Sequence, residues 1–126
     1  MKIDSIILDV DGTIWDTTPV VAEAWNNAID ELFPQVPHVT ADILKTQFGK
    51  TMDVIADNLF SVLNTEEKKI LMEKCCETEQ KALLQNKKNI TYAGVVESIK
   101  KISKKIALRF KNLIFSQVFS CVRSSV

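Results

Sequence analysis

The chain has 126 residues, 46% of them hydrophobic and 25% charged, with 16 acids balancing 16 lysines and arginines. That size suits one domain, or a small core fragment carrying an inserted subdomain. Zero net charge gives no general reason to expect nucleic acid or an anionic membrane as partner, and no run reaches the roughly 18 apolar residues of a membrane span.

The charge is unevenly spread. Residues 1 to 97 hold all 16 acids and nine of the bases, whereas Lys100, Lys101, Lys104, Lys105, Arg109, Lys111 and Arg123 follow with no acid among them. Three cysteines, Cys75, Cys76 and Cys121, show no CxxC spacing, so reduced thiols are expected. Ile6-Ile7-Leu8 is too short for a secretory signal, and the expected location is the cytoplasm.

Along the chain, Lys2 to Val10 reads as a short buried strand. Its β-branched and apolar bulk ends at Asp11-Gly12. A near-continuous apolar strand of this kind fits a parallel sheet covered on both faces.

A helix is expected from about Thr18, with Thr17 or Thr18 as cap and Pro19 at the first helical position. Val20, Val21, Ala24, Trp25, Ala28, Ile29, Leu32 and Phe33 recur at helical spacing, and Pro34 ends the run. Thr40 caps a second helix with Ile43, Leu44 and Phe48 inward and Gly49 as its stop. A third spans Thr51 to Leu63, and a fourth runs from Thr65 to about Asn86. After the turn Tyr92-Ala93-Gly94 comes a helix using Val95, Val96, Ile99 and Ile102, then a candidate strand at Leu113-Ile114-Phe115. The expected class is α/β. A partial core occupies 1–16 and 90–116, a four-helix insertion 17–89, and an irregular tail 117–126.

The segment with chemical content is Asp9-Val10-Asp11-Gly12-Thr13. Alternation along an extended strand would carry both carboxylates to one side, at the strand end where open α/β sheets bind ligands. Gly12 permits a sharp exit, and Thr13 offers a hydroxyl to an anion. Asp9 could attack phosphorus, while Asp11 could protonate a leaving alcohol and later activate water. Two neighbouring acids repel, which favours a bound hard cation such as Mg²⁺. The competing reading is a pair of acids that merely cap a turn. A calcium loop fails, because its twelfth position, counted from Asp9, is Val20 rather than Glu.

Asp9-Val10-Asp11-Gly12-Thr13 resembles the first motif of haloacid dehalogenase-like hydrolases. The following Ile14-Trp15-Asp16-Thr17-Thr18-Pro19, the helical insertion and the return at Tyr92-Ala93-Gly94-Val95 are similar to helical-cap members, the phosphoglycolate phosphatase-like and β-phosphoglucomutase-like groups. The resemblance implies a partial Rossmann-like core with a helical cap. It also implies a Mg²⁺-dependent phosphomonoester hydrolase acting through an aspartyl-phosphate on a small phosphorylated metabolite. Asp9 would be nucleophile and Asp11 acid/base. The metal would be held by the Asp9 side chain and the Asp11 backbone carbonyl, and Gly12 and Thr13 would lie at the phosphate.

Two further positions follow from the resemblance. Lys50, in Gly49-Lys50-Thr51, matches a cap loop that reaches toward substrate in relatives; a solvated lysine after a helix-ending glycine is the competing reading. Ser116 would be the phosphate-binding serine after the second strand, against an incidental serine in the tail. His38 reads as a surface histidine. The later lysine motif has no placement, and the later metal-binding acids are absent because no Asp or Glu follows Glu97. These departures imply a C-terminally truncated or frame-shifted descendant of a longer phosphatase. Its strand edges would be exposed and prone to association. The alternative to an enzyme is a catalytically inactive remnant or a helical binding module.

Overall fold

The computed structural model describes residues 5–9, 12–105 and 107–111, the last five as backbone. The chain divides into two compact units, Met1–Thr17 with Lys88–Val126, and Thr18–Lys87.

In the first unit, strand β1 (Ser5–Asp9) and a second strand, β2 (Ala107–Lys111), pair in parallel. The register runs from Ser5 opposite Ala107 to Asp9 opposite Lys111. The strand at Ala107–Lys111 was not expected from the sequence. Ala107 to Lys111 alternates apolar Leu108 and Phe110 with basic Arg109 and Lys111, a period-two strand signature. The continuous apolar run at Leu113-Ile114-Phe115 lies outside the described residues, as do Asp11 and Ser116.

The expectation of a fully buried first strand also needs correction, since Ile7 is 71% exposed. Burial on both faces of a parallel sheet requires helices on both sides. Here helix α5 (Val95–Ser103) packs against β2 and has no buried residue of its own.

The chain leaves and re-enters this unit along one short seam. Trp15 and Thr91 form an antiparallel bridge. The Asp16 amide donates to the Ile90 carbonyl at 2.8 Å, and the Tyr92 amide to the Ile14 carbonyl at 3.1 Å. Ile14 is buried beneath this seam. Gly94 then takes φ +77°, a left-handed conformation suited to glycine, and starts α5.

The second unit is all helical: α1 (Thr18–Leu32), α2 (Ala41–Lys45), α3 (Met52–Leu59) and α4 (Thr65–Gln85). Its core is one cluster built on Trp25, Ala28 and Ile29 of α1, Ile55 and Ala56 of α3, and Leu71 and Cys75 of α4. Phe60 and Leu63 fill it from the α3–α4 connection. Trp25 and Phe60 meet with ring centroids 6.2 Å apart at 46°, within the range of favourable tilted aromatic pairs. Asn26 clips the loop after α1 to the helix. Its amide group donates to the Val39 carbonyl at 2.9 Å and its oxygen accepts from the Val39 amide at 2.8 Å.

Local chemistry sets the helix ends. Thr40 caps α2 by accepting from the Ile43 amide at 3.2 Å. Asn64 and Glu67 form a reciprocal capping box at the start of α4. α2 stops at Lys45, so Ile43 and Phe48 stand 39% and 42% exposed instead of facing inward. α3 stops at Leu59, where Phe60 leaves helical geometry at φ −118° and ψ 39°, and both Phe60 and Leu63 are buried in the core. Cys75 is buried and free. Among the described residues no helix is long and apolar enough to cross a membrane.

Candidate functional site

Asp9 is the last residue of β1, at the carboxyl end of a parallel pair. This is the rim at which open α/β sheets take ligands. The chain turns away through Gly12, whose φ of +71° is a conformation that other residues adopt only with strain. The Gly12 amide donates to the Trp15 carbonyl at 2.9 Å and closes that turn. It brings Thr13 back over the strand end, where its Oγ1 donates to Asp9 Oδ2 at 3.3 Å. Asp9 is half-buried, while Gly12 and Thr13 are exposed. Three of the expected site residues, Asp9, Gly12 and Thr13, are thus gathered in one turn.

Lys50 belongs to the helical unit. Gly49 before it takes φ +80°, and a Cβ there would meet nothing within 4 Å, so backbone conformation alone favours glycine. Lys50 Nζ donates to Gln47 Oε1 at 3.2 Å, and the same oxygen accepts from Asn58 Nδ2 at 2.9 Å. Gln47 is buried, so an exposed lysine rests on a fixed neutral amide. His38 is exposed and contacts Asp30 Oδ1 through Nε2 at 2.7 Å, as a surface residue does.

Among the described residues no group of three or more His, Cys, Asp or Glu side chains converges as a metal site. Asp9 offers one hard carboxylate donor at the rim. Mg²⁺ commonly keeps several waters and takes only one or two protein carboxylates together with substrate phosphate, so this donor fits a ligand-poor magnesium site.

Sequence reasoning missed the residue in register with Asp9. Lys111 ends β2 directly beside it, with Arg109 opposite Ile7 two positions back. The signal was present in the alternation of 107–111. It was passed over because a parallel strand is expected to read as continuously apolar.

The family described as haloacid dehalogenase-like hydrolase matches residues 6–108. No curated protein matches the chain. Its fold is similar to that of a protein from Haemophilus somnus described as a predicted phosphoglycolate phosphatase, with a TM-score of 0.66 and 18% identity over 94% of this chain and 56% of that one. It is also similar to a protein from Clostridium difficile, assigned as a phosphatase by prediction, with a TM-score of 0.65 and 14% identity over 98% of this chain and 58% of that one. At these identities the likeness is one of fold, an α/β core with a helical cap. The chain spans a little more than half the length of the solved structures it matches.

Proposed function

We propose, from the premise that the chain belongs to the haloacid dehalogenase-like hydrolase family, that it hydrolyses the phosphomonoester of a small phosphorylated metabolite. The observation that carries this reading is the position of Asp9 at the carboxyl end of β1, with the Thr13 hydroxyl folded back onto it. The likeness of fold to two proteins assigned as phosphatases supports it.

In this reading an Asp9 oxygen attacks phosphorus. The new bond joins Asp9 Oδ to phosphorus as the bond from phosphorus to the ester oxygen breaks, leaving an aspartyl-phosphate. Asp11 gives its proton to the departing alcohol oxygen. It then takes a proton from the water that attacks phosphorus, which restores the Asp9 carboxylate and releases inorganic phosphate. The Thr13 hydroxyl is assigned to a phosphate oxygen, and the turn at Gly12 is assigned to the phosphate's side of the rim. Lys50 and Ser116 are assigned to further substrate contacts. The Asp9 carboxylate and the Asp11 backbone carbonyl would hold Mg²⁺, which when bound offsets the negative charge gathered at the rim.

Turnover of p-nitrophenyl phosphate with Mg²⁺ by purified, mass-verified protein tests this reading, with Asp9→Asn alongside. Loss of all turnover in Asp9→Asn is the expected result. Unchanged turnover removes Asp9 from its role, and no turnover in the unaltered chain favours a non-catalytic binding module.

A further inference from the structure

We propose that Gln47 is a positioning residue that presents Lys50 to an anionic group of the substrate, holding the ammonium through a neutral acceptor so that its charge stays available. This rests on the reading of Lys50 as a substrate contact and deepens it. It names the residue on which that lysine depends.

Gln47 is 8% exposed, and both ends of its side-chain amide are fixed. A lysine can only donate, so the oxygen end of the amide must face Lys50. Gln47 Oε1 accepts from Lys50 Nζ at 3.2 Å and from Asn58 Nδ2 of α3 at 2.9 Å. Gln47 Nε2 donates to Thr46 Oγ1 at 2.6 Å, and that hydroxyl donates to the Ile43 carbonyl at the same distance. The backbone is held as well. The Gln47 amide donates to the Leu44 carbonyl at 2.9 Å, and the Lys50 amide to the Gln47 carbonyl at 3.1 Å. An exposed ammonium thus sits on a buried, fully bonded support.

That support is neutral, unlike the partners of other lysines on the same unit. Lys68, Lys74 and Lys81 each meet a carboxylate, that of Asp57, Glu31 and Glu77 respectively. Lys50 meets an amide oxygen and, among the described residues, no carboxylate. A hydrogen bond between two charged groups is the stronger one, so a carboxylate would tether the lysine better. It would also offset the positive charge. An amide fixes the place of the ammonium and leaves its charge for an arriving anion. Burying a glutamine costs free energy unless its polar atoms are bonded, and here every one of them is spent on the loop that carries Lys50 or on α3.

Titration of the full chain with sulfate, a dianion shaped like phosphate, tests this through the amide resonances of Gly49, Lys50 and Thr51. Sulfate should shift them in the unaltered chain. Its affinity should fall about tenfold or more in Lys50→Met, the scale of a lost hydrogen bond to a charged group. Gln47→Glu keeps the shape and the acceptor but pairs the ammonium with a charge, and should weaken sulfate as much. Gln47→Met removes the tether without adding a charge and should weaken sulfate less. A merely structural role predicts the opposite order, with the isosteric glutamate the milder change, and that order overturns the proposal. So does an affinity unchanged in the folded Gln47 variants, or an unaltered chain whose resonances at 49–51 ignore millimolar sulfate. Where Gln47→Glu melts early, Gln47→Met carries the comparison alone. Gln47-dependent sulfate binding without p-nitrophenyl phosphate turnover would remove the hydrolase reading and keep this one. Asp9-dependent turnover in a chain whose resonances at 49–51 ignore sulfate would do the reverse.

Discussion

Trp25 of α1 donates its indole Nε1–H to the Glu79 carboxylate of α4 at 2.8 Å, joining the two longest helices at a point where the tryptophan is 4% exposed. The ring's apolar body packs against Phe60 while its one polar atom is satisfied by a charged acceptor. Trp25→Phe keeps much of the packing and removes the donor. The expected cost is about 2 kcal/mol, the worth of a hydrogen bond to an ionised partner together with some lost contact area. Urea unfolding followed by far-UV circular dichroism measures it, and a midpoint unchanged in Trp25→Phe would show that the bond contributes nothing net.

The helical unit was legible because its signals are local. The stripe from Val21 to Ile29, the Thr40 cap and the acidic start at Thr65-Glu66-Glu67 each act within one or two turns, and α1, α2 and α4 begin where they imply. Asp9, Gly12 and Thr13 were legible for the same reason, being contiguous. Lys111 was not, because its relation to Asp9 spans about a hundred residues and depends on a strand register that no local pattern specifies. The contact between Trp25 and Glu79 was equally hidden. A helical period places each residue on a face but leaves open which residues of two facing helices meet.

The capping box at Asn64 gives a sharper local test. The Asn64 side chain accepts from the Glu67 amide at 2.9 Å, and Glu67 Oε2 accepts from the Asn64 amide at the same distance. Asn64→Ala leaves the Glu67 amide without its acceptor at the start of a 21-residue helix, while the Asn64 amide keeps Glu67 Oε2. A loss of about 1 kcal/mol is expected, with Asn64→Gly or Asn64→Asp costing less. Thermal melts of the three variants supply the ranking, and equal losses for alanine and aspartate would count against the cap.

Cys75 predicts a dependence on alkaline pH. Burial pushes its thiol well above the ordinary value of 9.0, with the nearby Glu79 carboxylate adding to the rise. In the folded chain the thiol stays protonated, while in the unfolded chain it ionises as pH passes its ordinary value. The unfolded state then binds fewer protons, so stability is full below about pH 8.5 and falls above it, by at most about 1.4 kcal/mol per pH unit for this one group. Urea midpoints at pH 7.5, 9 and 10 should show the decline. Cys75→Ala should flatten part of that slope, even though the cavity it leaves lowers stability at every pH. A slope identical in both proteins would assign the decline to other groups.

Thr13 and Asp9 should separate by the size of their effects on turnover. The oxygen-to-oxygen distance between them is 3.3 Å, longer than the 2.5–3.0 Å of a good hydroxyl hydrogen bond, so the hydroxyl orients Asp9 only weakly. Thr13→Ser preserves the donor and should leave kcat/KM near that of the unaltered chain. Thr13→Val keeps the shape but removes the donor, and a fall of about tenfold or less is expected. Asp9→Asn removes the attacking oxygen's charge and should abolish turnover. A Thr13→Val variant as inactive as Asp9→Asn would mean that the hydroxyl's hold on the phosphate is as necessary as the nucleophile itself.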